Sequence, residues 1–472
     1  MTLDFQLAAF LSGLVLFAAA SLAWVTTRDT LHPMIYLAGM AFFLHAFLPL
    51  YLELTQPDEL RGYLGQVELD YAQTIVLLAI LSLGGGVWWG AHGTLAHHHA
   101  PVLSTSVAPV RLTSAARVRL VRAAMALATL GLVAWIYQIV NAGGLYAVYG
   151  QPYGWFWAES GYVREAFQFG LPGALLLLLA RRGLRLRASD LVWIAIGLLP
   201  LLGHGLLGAR RGPTFMALVG VGVMWYLARA RRPRLGAALL GGLAVGLLLL
   251  LLLANRDRIY LGAEAEFSGA GEAYTFEVGP GNEFVFGAAA AVNAEALDGF
   301  GWGRRYLMVL LVRPIPRSLW PTKFADAARV LRIRNTEKDP LRTDFTSSMG
   351  WTGAIGSAPG GLFDLWIEFW WAYLFALFAV GWGFGSAYRR ALSLGGFWMA
   401  LYALMTALSI YFVMQGLVAF AFRALLLGAV MWLGWRYAMG FGVLARAART
   451  YPPRSPPALR VVAGSAGADQ SA

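Results

Sequence analysis

Apolar positions in this chain come in long uninterrupted runs divided by short polar segments. A run such as 237–254 carries no charge and shows no alternation of apolar and polar residues. It therefore predicts a membrane-spanning helix and not a strand of a transmembrane barrel. Reading every run of sufficient length in this way gives about eleven spans, near 5–25, 33–52, 72–91, 121–141, 165–181, 190–209, 213–228, 235–254, 362–385, 395–414 and 418–438. The expected fold class is an all-α polytopic integral membrane protein. Its units are an N-terminal transmembrane bundle (1–254), a large loop (255–361), C-terminal transmembrane helices (362–441) and a tail expected to be disordered (442–472).

Composition agrees with this pattern. Hydrophobic residues make up 58% of the chain and charged residues 13%, with a mean hydropathy of +0.60; soluble domains carry about a quarter charged residues. The absence of cysteine excludes a disulfide framework, a thiolate nucleophile and a thiolate metal site. A net charge of +12 raises the question of nucleic acid, but the arginines gather at the ends of apolar runs, which is a topological signal. The N-terminus has no basic region and no small-residue cleavage site ahead of its apolar run, so the first segment is expected to be a retained span.

Charge then orients the bundle. The segment from His92 to Arg122 carries Arg111, Arg117, Arg119 and Arg122 without an acid, Arg181–Arg187 and Arg229–Arg234 hold four arginines each, and Arg389-Arg390 and the C-terminal tail are likewise basic. The positive-inside rule places these in the cytoplasm. Alternate segments are acidic or neutral: Glu53–Asp70 holds five acids and one arginine. The N-terminus is thus expected outside and the C-terminus inside, and the 255–361 loop outside. Ten basic residues against three acidic ones lie between Arg304 and Arg342. Long loops translocate regardless of charge, so these arginines need another reason. Pairing with the acidic first half of the loop (Asp257, Glu264, Glu266, Glu272, Glu277, Glu283, Glu295, Asp298) is the structural alternative. Two apolar stretches of the loop, 287–297 and 302–312, predict short amphipathic helices in the outer membrane face; Pro314, Pro316 and Pro321 then stiffen the path.

Candidate chemistry gathers on the same face. Arg210-Arg211-Gly212-Pro213 forms a tight outward turn, and Pro213 suits the first turn of the following span. Two guanidiniums beside the free N–H groups of a helix N-terminus make an anion site suited to phosphate or pyrophosphate; the alternative is arginines snorkelling to lipid headgroups. Arg423, near the outer end of the last span, is a further contributor. Asp364 and Glu368 stand one helical turn apart at membrane depth, where carboxylates are costly. Either they or Glu283 could act as a general base, or they could pair with a loop arginine. Tyr153, Trp155 and Trp157 belong to an outward aromatic loop that could stack on sugar rings or form an interfacial belt. His97-His98-His99 reads as a solvated run and His204 as a core histidine. No metal-ligand set, Walker loop or dinucleotide fingerprint appears, so no cofactor is called for.

Taken in order, Arg210-Arg211-Gly212, Gly281-Asn282-Glu283-Phe284, the Pro-Arg-Ser-Leu-Trp-Pro core of Arg313–Lys323 and the Gly-rich approach 350–361 to an acid-bearing span resemble the bacterial oligosaccharide repeat unit polymerases, the O-antigen polymerase (Wzy-like) family. The resemblance covers roughly 200–385, and a GT-C-like architecture is compatible with it. It implies glycosyl transfer between repeat units carried on undecaprenyl pyrophosphate at the periplasmic face of the inner membrane, without nucleotide or metal. The implied partners are the lipid-linked oligosaccharide, membrane lipids and a chain-length regulator protein, with no nucleic acid. Arg210, Arg211, Arg313 and Arg317 would hold the pyrophosphate, with Arg305, Lys323 and Arg423 in support, and Glu283, Asp364 or Glu368 would be the base. An O-antigen ligase would be expected to place a histidine in the outer loop, whereas no histidine follows His204. A flippase would spread charge through a central cavity, and a non-catalytic glycan-binding protein would leave the carboxylates without a task.

Overall fold

The computed structural model describes residues 2–93, 112–152, 161–263, 267–333, 350–354 and 357–440. Among the described residues every regular element is helical. Nine helical segments are long and apolar enough to cross a membrane. They are α1 (Phe5–Thr27), α2 (Pro33–Thr55, with a π-turn at Phe43–Phe47), α3 (Gln66–His92), α4 (Ser114–Asn141), Ala188–Leu207, Leu235–Ala254, Gly360–Ser393, Phe397–Gln415 and Leu417–Met439. The two other expected spans differ. The segment near 165–181 contains α5 (Gly170–Ala180), an 11-residue helix buried along its whole length. It packs between α4 and α6 (Ala188–Leu207). The segment near 213–228 is α7 (Arg211–Ala228), whose polar first turn, Arg211-Gly212-Pro213-Thr214, lowers its mean hydropathy.

The small residues set the closest packing. After α8 (Leu235–Ala254) and the buried loop helix α9 (Glu283–Ala296), the segment expected near 362–385 is two helices, α10 (Gly360–Phe369) and α11 (Tyr373–Ser393). The break falls at Trp370, whose φ of 49° lies in the left-handed region. Beyond it α11 runs parallel to α3, with Tyr373 Oη donating to the Ile75 carbonyl at 2.8 Å. Gly86 and Gly90 of α3 face Gly381 and Gly385 of α11, and a Cβ on any of the four would strike the partner's backbone. Small residues four apart on both helices let the two backbones meet, which is how helices gain dispersion contacts in lipid.

The two ends of the bundle differ in character. At one end Asp29 accepts hydrogen bonds from Arg232 Nε at 2.7 Å and from Tyr388 Oη at 2.8 Å. The arginine runs 229–234 and 389–390 therefore lie together there. At the other end the loop after α8 folds down on the helix ends. Gln56, just past α2, donates to the Phe276 carbonyl at 2.7 Å and accepts from the Val278 amide at 3.0 Å. The loop's first apolar stretch does not lie on the surface: ten residues of α9, from Phe284 to Ala294, are buried. Its run of alanines allows this: Ala288–Ala291 are all buried, and the helix packs against α3 and α10. The last helices, α12 (Phe397–Gln415) and α13 (Leu417–Met439), form a hairpin about Gly416, whose φ of 125° requires glycine.

Candidate functional site

The α7 N-terminus carries the first arginines. Ala209 has φ 47°, a strained value for a residue with a Cβ, and it turns the chain so that Arg210 becomes the N-cap residue of α7 and Arg211 its first residue. Arg211 Nη2 lies 2.6 Å from Glu283 Oε1. The Thr275 hydroxyl donates to the other carboxylate oxygen at 2.6 Å. Glu283 opens α9, whose cap is the Asn282 side chain, accepting from the Phe284 and Val285 amides. Two segments distant in sequence, the arginine turn and the Gly-Asn-Glu stretch, thus meet in one ion pair. Burial alone would raise the Glu283 carboxyl, but Arg211 and the Thr275 hydroxyl outweigh it and hold it below the ordinary carboxylate value.

Arg210 is half-buried beside other cations. Desolvation, with Arg256 and Arg164 nearby, depresses its affinity for its proton. The neighbourhood therefore favours an incoming anion, which would relieve that repulsion. A Cβ on Gly212 would collide with the Tyr411 hydroxyl, so this glycine lets α7 approach α12. The same Tyr411 ring carries the Arg423 guanidinium 4.1 Å from its centroid.

Arg423 in turn faces Glu165, with Nε 3.4 Å from Oε2. Arg313, from the proline-stiffened part of the loop, reaches the same carboxylate with Nη2 3.6 Å from Oε1. Its guanidinium lies 4.9 Å from the Phe422 ring centroid. Arg210 and, from α13, Arg423 both lie by Tyr411, Arg423 and Arg313 of the loop share Glu165, and Arg211 follows Arg210 in the chain and pairs with Glu283. Glu165 is buried and was not among the residues expected at the site. The rule that singled out Asp364 applies to it as well, since it is a carboxylate at the start of an apolar run.

A second cluster lies where the loop meets α10. Arg305 Nη2 is 2.9 Å from Asp364 Oδ1, and its Nε pairs with Glu368 Oε1. Asp364 also accepts from Tyr306 Oη at 2.7 Å and from the Leu417 amide, which opens α13, at 2.9 Å. Glu368 accepts from the Gly303 amide at 2.7 Å and its side chain has no exposure. Burial opposes the Arg305 charge, but the two carboxylates raise its proton affinity above the usual arginine value. Burial and Asp364 likewise push the Tyr306 phenol up. This cluster joins the loop to α10 and to the turn between α12 and α13. Both carboxylates and Arg305 act there as structural partners of one another.

The remaining expected residues separate. The Lys323 ammonium is buried and donates to the Arg313 carbonyl at 2.9 Å and to the Ile315 carbonyl. It shapes the turn that presents Arg313. Burial and the neighbouring Arg317 and Arg313 lower its proton affinity. Arg317 is exposed, with its guanidinium 5.7 Å from the Phe324 ring centroid. Tyr153, Trp155, Trp157 and the histidine run His97–His99 lie outside the described residues. His204 is packed at membrane depth near Phe167 and Tyr149. The pairing expected between the two halves of the loop is not what the described ion pairs show. Glu283 pairs with α7, Arg305 with α10 and Arg313 with Glu165. No group of three or more potential metal-ligating side chains occurs among the described residues.

No protein-family model, curated protein or solved structure matches the chain.

Proposed function

We propose that the protein polymerises oligosaccharide repeat units carried on undecaprenyl pyrophosphate, at the outer face of a bacterial inner membrane. The N-terminus and the large loop then lie on the periplasmic side and the C-terminus in the cytoplasm. The arginine-rich Asp29 end of the bundle faces the cytoplasm, and α7 together with the continuous helical segment 161–180 that ends in α5 completes an eleven-span bundle. The observation that carries this reading is the convergence of Arg210, Arg211, Arg313 and Arg423 from three separate parts of the chain. A diphosphate offers oxygens to several guanidiniums at once, and planar forks suit it better than point charges do.

In this reaction the hydroxyl of an acceptor unit attacks the anomeric carbon of the growing chain. The bond from that carbon to the diphosphate oxygen breaks, and its electron pair leaves with the lipid diphosphate. The four arginines stabilise the charge that develops on the leaving group. The acceptor's proton goes to a carboxylate. Of the three candidates Glu283 is the one beside the grip. It is ionised at neutral pH, and its basicity rises as the diphosphate draws Arg211 away from it. The leaving group is already activated, so the chemistry needs no nucleotide. A chain-length regulator protein and the surrounding lipids would be its partners.

Undecaprenyl diphosphate release by purified protein tests the reading. Each new glycosidic linkage should liberate one lipid diphosphate. Acceptor consumption without diphosphate release would overturn the assigned reaction.

A further inference from the structure

We infer that Glu165 is an internal stand-in for the diphosphate: its carboxylate occupies the place between Arg313 and Arg423 that the ligand's oxygens take, and it is displaced when a diphosphate binds. The inference rests on the reading of these two arginines as diphosphate ligands and adds to it how the empty site is held.

Three observations carry it. First, the two arginines come from separate elements that meet at one carboxylate. Arg313 follows the π-turn Met308–Val312 in the loop, and Arg423 lies in α13. Arg313 addresses Oε1 at 3.6 Å, and Arg423 reaches both oxygens, Oε2 with Nε at 3.4 Å and Oε1 with Nη2 at 3.5 Å. That is how two donors share an anion with two oxygens.

Second, these contacts are loose. Other ion pairs of the same molecule are tighter, at 2.6 Å for Arg211–Glu283 and 2.9 Å for Arg305–Asp364. Arg423 Nε lies buried without a hydrogen-bond partner despite its closeness to Glu165. A carboxylate that only approximates the ligand leaves such donors under-used, and tetrahedral phosphoryl oxygens could satisfy them.

Third, the guanidiniums are held by more than the carboxylate. Arg313 lies against the Phe422 ring and Arg423 against Tyr411, which fix their planes through cation–π contact. Removing Glu165 therefore leaves them in place. Glu165 is also held in its resident place by Gln168, whose Nε2 donates to Oε2. Without a resident anion, two guanidiniums so close in a region of low dielectric would repel each other. Glu165 offsets that repulsion between turnovers and competes with weak anions. A diphosphate, with more charge and more oxygens, exchanges for it.

The test is calorimetric titration of inorganic pyrophosphate into the detergent-solubilised full chain, with inorganic phosphate as the weaker probe. Glu165→Gln keeps the shape and removes the charge, and should bind pyrophosphate at least about tenfold more tightly than wild type, since close charge pairs couple by more than that. Gln168→Ala keeps both charges but loosens Glu165, and should tighten binding by a smaller factor even if Glu165→Gln does not fold. Unchanged or weaker binding in these variants, with wild type binding normally, overturns the inference and leaves the proposed reaction standing. Binding by neither wild type nor variant overturns the inference too; whether the reaction then stands is read separately from lipid diphosphate release.

Discussion

Arg211 of the α7 turn and Glu283 of the loop helix α9 meet at 2.6 Å, tying the large loop to the transmembrane bundle at the proposed anion site. The pair has two tasks. It fixes the start of α9 beside α7, and it places a carboxylate next to a guanidinium that can move to a ligand.

Arg211→Ala and Glu283→Ala should each lower thermal stability in detergent. Both side chains are largely buried, and removing one partner of such a pair costs about 2–5 kcal/mol because the other is left desolvated. The double variant should be less damaged than the sum, with a coupling of at least about 1 kcal/mol in a double-mutant cycle. Strict additivity would show that the contact is not formed.

Acid should weaken the same contact. The folded-state value of Glu283 lies below its ordinary 4.5. The stability it contributes is therefore fully present above pH 4.5 and is lost as pH falls through the lower folded value. Thermal unfolding followed across that window should show a steeper acid loss for wild type than for Glu283→Gln. Parallel curves would contradict the assignment.

The Arg305 cluster should behave as a structural clasp. Arg305→Ala leaves Asp364 and Glu368 without their cation, and breaking a buried pair costs about 3–5 kcal/mol. Arg305→Ala should unfold well below wild type in detergent. Asp364→Asn, which can still accept from Tyr306 and the Leu417 amide, should retain more stability. Equal melting of wild type and Arg305→Ala would remove the clasp.

Orientation has a clean test because the chain contains no cysteine. In intact spheroplasts a thiol introduced by Leu319→Cys, at a position 78% exposed in the loop, should react with a membrane-impermeant reagent. One introduced by Ala230→Cys, in the arginine run beside Asp29, should react only after permeabilisation. The opposite pattern would invert the bundle and place the arginine cluster in the cytoplasm.

The helical, multi-pass character was legible in the apolar runs, because twenty apolar residues in lipid have few ways to satisfy their backbone. The break at Trp370 was not, since Leu362 to Gly385 reads as one continuous apolar stretch and only the packing of α10 across α9 and α12 divides it. The burial of α9 was hidden for a similar reason: a run of alanines is as consistent with a close-packed core as with a membrane surface. Arg211, Arg313 and Arg423 could be singled out because arginine on that face served no topological need. Their carboxylate partners could not be assigned from spacing, as each ion pair joins residues far apart in sequence. Lys323 looked like one more cation of the loop, and only its two backbone acceptors reveal a structural task.

The most direct measurement is the product pattern of the purified protein given lipid-linked repeat units, resolved by gel. Wild type should yield a ladder of chain lengths, whereas Arg211→Ala and Arg313→Ala, confirmed as folded, should leave the units unjoined. A ladder that survives both substitutions, or none from wild type under conditions where the units bind, would contradict the account.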